Sequence, residues 1–355
     1  MEGNLHAPEK PGFRDPAFEI VPQLVLFAIN TPCNATCPHC PCEVLQEVIR
    51  KLPDAYGHED PDPFFRKAKH LRPTYWEKLV REASEVLKTH GKTSHFRISS
   101  YGEPMLHKKL VDMMELSCAA GIRTSLINNG SLMTEEVSER LIRAGVASVE
   151  VSAESHLDEV FKRVKPGIDL ATVIGNIRKF LEVRKKLGGK TTLLVSIVDQ
   201  PAANPFIKET TAFYEELGVD EVLVRTFQTW DIPELIRQKD LNATKDKLGD
   251  NLPCPYPFER LMVDPGGNYR LCPMDDQQKI PAFGHVHDQT LQEVWQGPRF
   301  KYYRESHLNG QFGAPLCFNC PDRKRRSWNH NIFSALDKAK QKMIKQEERY
   351  ERTDI

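Results

Sequence analysis

The residues with the clearest chemistry in this sequence are cysteines. The segment CNATCPHC spaces Cys33, Cys37 and Cys40 as C-x3-C-x2-C. Three thiolates at this spacing can bind three irons of a cubane [4Fe–4S] cluster and leave the fourth iron open to a small ligand. A structural zinc site or a ferredoxin-type cluster would need four protein ligands. This first cysteine group therefore indicates a cluster with one open coordination position.

A second cysteine group has four members, which suits a closed metal site. Cys254 precedes a hairpin-like segment that ends at Cys272, and Cys317 and Cys320 follow later as C-x2-C. Four thiolates can hold either zinc or a [4Fe–4S] cluster. From the residues alone, both metals remain possible.

Cysteine usage also predicts the compartment. The chain has nine cysteines, and its polar, proline-rich start is not a signal peptide, so a disulfide framework is not expected. Because neither a signal peptide nor a disulfide framework is expected, we expect a cytoplasmic protein. Two cysteines lie outside the groups: Cys42 is sterically poor as a further ligand beside Cys40, and Cys118 lies in a helical pattern.

The charge balance argues against two classes of partner. Lysine plus arginine and aspartate plus glutamate number 49 each, so the net charge favours neither nucleic acid nor an anionic membrane. No stretch approaches the ~20 apolar residues that span a bilayer.

The elements that must position these cysteines alternate regularly. Six β-rich runs begin at Leu24, Phe96, Arg123, Ala147, Thr191 and Glu221. The helical patterns between them cover Tyr75–Lys88, Lys108–Ala120, Glu135–Ala144, Leu170–Leu187 and Ile207–Leu217. This alternation predicts an α/β fold with a parallel sheet, curled by right-handed crossovers into a full or partial β/α barrel. Chemistry in such folds gathers at the C-terminal ends of the strands.

We expect four parts along the chain. They are an N-terminal extension (1–23), the barrel (24–250), a small cysteine-rich domain (251–326) and a charged C-terminal helix (327–355). A long, charged, proline-rich insertion (43–73) follows the first strand. Loops of this length are often functional, so we expect a lid over the barrel mouth, with a plain surface insertion as the alternative.

These patterns together resemble the radical S-adenosylmethionine (SAM) superfamily. After the second strand, Tyr101-Gly102-Glu103-Pro104 resembles the family's G-G-E-P motif, with tyrosine in place of the first glycine. After the third strand, Asn128-Asn129-Gly130 resembles its T-N-G segment, and after the fourth, Ser152-Ala153-Glu154 resembles its S-x-D segment. The resemblance implies a partial (β/α)6 barrel. It also implies SAM contacts at His39, Gly102, Glu103, Asn128, Asn129, Ser152 and Arg163.

The second cysteine group resembles the SPASM or shorter twitch extension of radical SAM enzymes. Its marks are the spacing of the four cysteines and a D-x-G-type hairpin at Asp264. The resemblance implies two [4Fe–4S] clusters with SAM bound at the first. The metal ligands would be Cys33, Cys37, Cys40, Cys254, Cys272, Cys317 and Cys320. It also implies a flavodoxin- or ferredoxin-type electron donor.

The expected reaction is hydrogen abstraction by a 5′-deoxyadenosyl radical from a small polar substrate, such as a sugar or aminocyclitol. A closed second cluster can accept the electron that a dehydrogenation releases, so we expect a dehydrogenase. The alternatives are epimerisation, modification of a ribosomally made peptide, and, outside enzymes, a zinc-binding regulatory or RNA-binding protein. Candidate catalytic residues are Glu154, Asp199 and Arg225.

Overall fold

The structure is a computed structural model. It describes residues 12–13, 15–44, 69–228, 253–275, 280–320, 323, 338–339 and 341–342. Most of the predicted insertion, the predicted boundary near residue 250 and most of the predicted C-terminal helix lie outside these residues. Within them, no helix is long and apolar enough to cross a membrane.

Nine strands form a single sheet in the order β6-β5-β4-β3-β2-β1-β7-β8-β9. Strands β1 to β6 are parallel, and each overlaps one of the six predicted runs, within one residue of its bounds for β2 and β5. Strand β7 pairs in parallel with the other side of β1. Strands β8 and β9 continue antiparallel. The bounds are β1 Leu24–Phe27, β2 His95–Ile98, β3 Thr124–Asn128, β4 Ser148–Ser152, β5 Thr192–Asp199, β6 Glu221–Thr226, β7 Arg260–Val263, β8 Asn268–Arg270 and β9 Gly284–His285.

Helices fill the crossovers between the parallel strands; five lie where the sequence predicted them, and the short helix Asp158–Val164 was not predicted. They are α1 Pro73–His90, α2 Leu110–Ala119, α3 Glu135–Arg143, α4 Asp158–Val164, α5 Leu170–Leu187 and α6 Ile207–Leu217. The C-terminal part adds α7 Tyr256–Glu259, α8 Leu291–Trp295, α9 Pro298–Leu308 and α10 Pro315–Asn319. Over the described residues, β6 and β9 are the two end strands of the sheet. The predicted α/β fold with a partial barrel is confirmed.

Helix α5 shows how local signals set these elements. The Asp169 side chain accepts a backbone N–H of the first turn, and Gly188 ends the helix in the left-handed conformation at φ 57°. Val173, Ile177 and Phe180 recur at helical spacing and are buried on one face. That face packs on the outer side of the sheet as part of the main hydrophobic core.

The outer face of the sheet is the hydrophobic core. Trp76 of α1 is fully buried against Phe27 and Phe96, with ring centroids 4.6 Å and 5.5 Å away. Its indole N–H donates to the Met113 carbonyl at 2.6 Å. Trp76 thus packs α1 against both β1 and β2, and its burial leaves no polar group without a hydrogen bond.

The inner face of β2, β3 and β4 is polar by contrast. The His95 imidazole, the Ser125 hydroxyl and the Ser148 hydroxyl form a chain of buried hydrogen bonds across β2, β3 and β4, at 2.9 Å and 2.7 Å. Alternate residues of each strand point to opposite faces. The inward set is therefore available for binding, while the outward set holds the helices.

A buried ion pair behind the sheet provides a test of stability. Asp220 is fully buried and accepts from the Leu193 N–H at 2.7 Å and from Arg184 Nη2 at 3.1 Å. Asp220→Ala removes the carboxylate that the partly buried Arg184 guanidinium and the Leu193 N–H both donate to. We therefore expect a loss of about 3–5 kcal/mol in unfolding free energy, measured by urea denaturation. As a control, Glu139→Ala breaks an exposed pair with Arg143 and should cost roughly 0.5 kcal/mol or less. Equal effects of the two changes would contradict this.

Candidate functional site

The loop that carries the first cysteine group is fixed across the C-terminal ends of the strands. The Asn30 N–H donates to the Ser100 hydroxyl at 2.9 Å, and the Asn30 amide donates to the Glu103 carbonyl at 2.7 Å. On the far side, the Thr36 N–H donates to the Pro166 carbonyl at 2.9 Å. The loop is thus bonded to the segments that follow β2 and α4.

The three thiols of this group lie within electrostatic reach of one another. Burial raises the pKa of Cys37 to about 12, and the neighbouring Cys40 and Cys33 add to the effect. The pKa of Cys40 is lowered to about 7, first by a hydrogen bond from the Cys42 thiol. Thiolates crowded in this way need a cation between them, which fits ligands of a metal cluster.

Gly102 lets two of these segments touch. A Cβ on Gly102 would lie 1.9 Å from the Pro32 carbonyl oxygen. Only glycine permits this approach of the loop after β2 to the cysteine loop. The resemblance implied a SAM contact at Gly102, and the structure places the Pro32 backbone against it.

Glu103 is a buried carboxylate at the end of β2. Its two oxygens accept from the Met105 N–H at 2.9 Å and the Asn129 N–H at 2.8 Å. Burial raises the pKa of Glu103 to about 7, although these hydrogen bonds oppose the rise. A carboxylate has about four acceptor sites, so two further donors can still be accepted.

The segment after β3 joins the same network. The Asn129 amide donates to Asn34 Oδ1 at 2.8 Å, and the Asn34 amide donates to the Ser131 hydroxyl at 2.9 Å. Asn128 Oδ1 accepts from the Gly130 N–H at 2.7 Å. Gly130 has φ 80°, a conformation that favours glycine. This turn therefore holds both asparagines beside the cysteine loop.

The end of β4 carries a second buried carboxylate in a strained backbone. Glu154 has φ 60° and accepts from the Val198 N–H at 2.9 Å. His39 Nε2 and Lys165 Nζ each lie 3.8 Å from Glu154 Oε1. Lys165 also donates to the Ser152 carbonyl at 2.6 Å. Strain of this kind persists where surrounding contacts over-determine the conformation, typically at functional sites.

The other predicted residues are divided between the site and the surface. Arg163 is exposed on α4, and Asp199 is exposed at the end of β5, where it accepts from the Asn204 amide at 2.6 Å. Arg225 lies on the inner face and binds Glu150. Arg163 and Asp199 therefore lie away from the site. The structure brings the other residues together at the strand ends: His39, Gly102, Glu103, Asn128, Asn129, Ser152 and Glu154.

Three important residues were missed in the sequence analysis. Lys165 is buried beside the cysteine loop, and its spacing carried no signal. Arg97 is buried on the inner face, and a signal for it existed: it is a charged residue inside an apolar strand, FRI. Glu150 interrupts β4 in the same way.

The second cysteine group surrounds a cavity. Its four members line the cavity together with apolar side chains, His307 and Arg323; they are Cys254, Cys272, Cys317 and Cys320. Burial, and then the charges of the other three thiols, raise the pKa of Cys272 well above its usual value. Arg323 closes the site by donating to the carbonyls of Cys317 and Phe318 at 3.0 Å each.

The lining of this cavity gives its donor set. Four cysteines and apolar side chains wall it, and four thiolates are the donor set of a closed iron–sulfur cluster.

Both cysteine groups fall within known family profiles. The profile of the radical SAM superfamily matches residues 29–198. The SPASM profile, an iron–sulfur cluster-binding domain, matches residues 254–321. These matches imply a SAM-binding [4Fe–4S] cluster and an auxiliary cluster.

Curated relatives align over most of the chain. The PqqA peptide cyclase of Gluconobacter oxydans is 24% identical over 82% of this chain and 86% of its own length. The AdoMet-dependent heme synthase of Methanosarcina barkeri is 27% identical over 85% of this chain and 92% of its own.

A solved structure shows the same fold. Streptococcus suis SuiB bound to S-adenosylmethionine superposes with a TM-score of 0.59 at 14% identity, covering 80% of this chain and 68% of SuiB. Taken with the profiles and with the cysteine loop at the barrel mouth, these similarities show that the chain belongs to the radical SAM superfamily and carries a C-terminal SPASM domain.

Proposed function

We propose that this radical SAM enzyme modifies a peptide by abstracting a hydrogen atom from it. The observation that carries the proposal is the similarity to a peptide cyclase over most of both chains. The expected sugar or aminocyclitol substrate receives less support, because the similarity to a peptide cyclase favours the peptide alternative. A non-peptide substrate remains the second candidate, since a heme synthase aligns over a similar length.

The end strand β6 is compatible with an extended substrate. Among the described residues no further strand pairs with the outer edge of β6, and Val224 in it is 50% exposed. A peptide can bind such an edge through main-chain hydrogen bonds, with alternate side chains giving specificity. A loss of two hydrogens, which we expected for a dehydrogenation, also describes a cross-link within a peptide.

We assign the cluster ligands as the sequence predicted them. Cys33, Cys37 and Cys40 would hold the SAM-binding cluster, and the four cysteines that line the second cavity would hold the auxiliary cluster. When bound, the first cluster supplies the electron that cleaves SAM to the 5′-deoxyadenosyl radical, and the second supplies a centre that can accept an electron. Cys42 is buried, and we assign its thiol as the hydrogen-bond donor to the Cys40 sulfur.

The residues at the strand ends would bind and orient SAM. Glu103 has acceptor sites left for the SAM ammonium group, and Asn128 and Ser152 flank it at the next strand ends. For the SAM carboxylate we assign Lys165 in place of Arg163, since Lys165 is buried toward the cysteine loop and Arg163 is exposed. His39, which lies close to Glu154, offers a flat ring at the same edge.

The cluster assignment predicts separable losses. We expect Cys37→Ala to lose about half of the bound iron and all reductive SAM cleavage, because three ligands are needed to leave one iron open for SAM. Cys320→Ala should lose iron from the other site and keep SAM cleavage. Cys118→Ala, a cysteine packed in α2, is the matched control and should keep both. Iron analysis and 5′-deoxyadenosine formation measure this, and SAM cleavage by Cys37→Ala would contradict the assignment.

The choice of lysine over arginine can be tested directly. We expect Lys165→Met to weaken SAM binding by about ten-fold or more, since a hydrogen bond to a charged group is worth ~1.5–3 kcal/mol. Arg163→Met, two residues away, should leave the affinity unchanged. Equilibrium dialysis of anaerobically reconstituted protein gives both values. The reverse result would restore Arg163 as the contact.

The substrate class can be tested without knowing the substrate. We incubate reduced holoenzyme and SAM with the small-peptide fraction of a cell extract, before and after protease digestion. A peptide substrate should raise 5′-deoxyadenosine above background, digestion should abolish the rise, and mass spectrometry should find a peptide lighter by two hydrogens. A stimulation that survives digestion would reject the peptide and favour a small molecule.

A further inference from the structure

Three side chains from alternate strands meet inside the barrel. Glu150 of β4 accepts from Arg97 Nη2 of β2 at 2.5 Å and from Arg225 Nε and Nη2 of β6 at 2.9 Å and 2.5 Å. β3 separates the first pair and β5 the second. Neighbouring strands lie about 4.8 Å apart, so these contacts need long side chains on a concave face. We call this group the arginine cluster.

Charges in the arginine cluster do not balance. Burial alone would raise the pKa of Glu150, but Arg225 and Arg97 outweigh it and lower the pKa to about 2. One carboxylate therefore faces two guanidinium groups, which leaves one positive charge in excess. The Glu150 side chain is 1% exposed and that of Arg97 is 5% exposed. An excess charge at such depth is costly unless an anion meets it.

Arg97 also has an unused donor. Its Nη1 is buried and has no hydrogen-bond partner within the described residues. A guanidinium carries five N–H donors in a planar fork that matches a carboxylate. Arg225 has a side chain that is 39% exposed, so the cluster is deep on one side and accessible on the other.

A third arginine adds to the same field. Arg260 begins β7, two residues before Met262, which packs on the inner face with Leu24 and Leu26. It bonds Glu259 at 3.0 Å, and among the described residues its buried Nε has no partner. The charges of Arg225 and Arg260 lower the pKa of Arg97 after the effect of burial. Three cations and two carboxylates thus leave the positive excess in place.

We propose that Arg97 and Arg225 bind a carboxylate of the substrate inside the barrel. This deepens the proposed function and rests on it. A carboxylate brings one negative charge, which matches the excess, whereas a phosphate monoester brings about −1.5 to −2 and would overshoot it. The ligand is therefore an acidic side chain or terminus of a peptide, or a small carboxylic acid.

The arginine cluster is well placed to orient a substrate for reaction. Glu150 lies two residues before Ser152 at the end of β4, roughly 7 Å along the strand. When the carboxylate binds at this depth, the neighbouring carbons of the substrate lie toward the barrel mouth, where the cysteine loop is. Arg97 and Arg225 are thus specificity residues, and the proposal gives them no part in the chemical step.

A pair of isosteric probes tests the site. We measure binding of glutarate and of its uncharged diamide, glutaramide, to the SAM-loaded holoenzyme by isothermal titration calorimetry. The native protein should prefer glutarate by ten-fold or more, which is about 1.4 kcal/mol. Arg225→Gln removes the excess charge and should reduce this preference to less than about three-fold, while SAM affinity and the circular dichroism spectrum stay unchanged. Arg97→Lys keeps the charge but loses the planar fork of donors, so it should reduce the preference by a smaller factor. Arg140→Gln, which removes a surface arginine paired with Glu115, should keep it.

The outcomes separate this inference from the proposed function. Equal binding of both probes to the native protein, or a preference that survives both cluster variants, overturns the carboxylate site. If Arg97→Lys does not fold, the partly exposed Arg225 decides the matter. A glutarate preference that depends on the arginines, in a protein whose stimulation by extracts survives protease, keeps the site and rejects the peptide. If a peptide is modified but the native protein shows no glutarate preference, the proposed function stands and the carboxylate site is rejected.

Discussion

The position of β1 in the middle of the sheet is the constraint on which the rest depends. It pairs in parallel with β2 on one side and with β7 on the other. The first cysteine loop leaves the C-terminal end of β1, where the ends of β2, β3 and β4 also meet. Had β7 begun a separate sheet, the C-terminal cysteines would have no defined position relative to this loop.

The same pairing places the two cysteine groups at opposite ends of the strands. Cys254 precedes β7, and Cys272 follows β8, which runs antiparallel to β7. Both therefore lie toward the N-terminal ends of the parallel strands, while Cys33 lies beyond their C-terminal ends. The barrel interior, with its arginine cluster, lies between the two cluster sites. A substrate bound there would be accessible to a radical from one side and near an electron acceptor on the other.

The sheet separates stability from chemistry by its two faces. Outward residues such as Phe27 and Phe96 pack on α1 and supply apolar burial, while inward residues carry charges and hydroxyls. The buried charge of Arg97 is tolerable because the outer face supplies the folding energy. The end of β4 carries backbone strain at Glu154, where a hydrogen bond from the Val198 N–H helps to hold it.

The sequence by itself determined strands β1 to β6, five of the helices between them, the two cysteine groups and the family. These are local properties, since hydrophobic period and ligand spacing are read within a few residues of each other. Motifs at strand ends were also predictable, because parallel strands bring their C-terminal ends to one edge. Glu103 and Asn129, 26 positions apart, meet for this reason.

Only the tertiary structure decided which charged residues face inward. Arg163 and Lys165 differ by two positions, but α4 ends at Val164, so the first stays on the helix surface and the second turns into the site. Arg97, Glu150 and Arg225 are far apart in the chain, and their meeting depends on strand order and curvature. The pairing of β7 with β1 was equally hidden, because a short strand does not specify its partner until the whole sheet has formed.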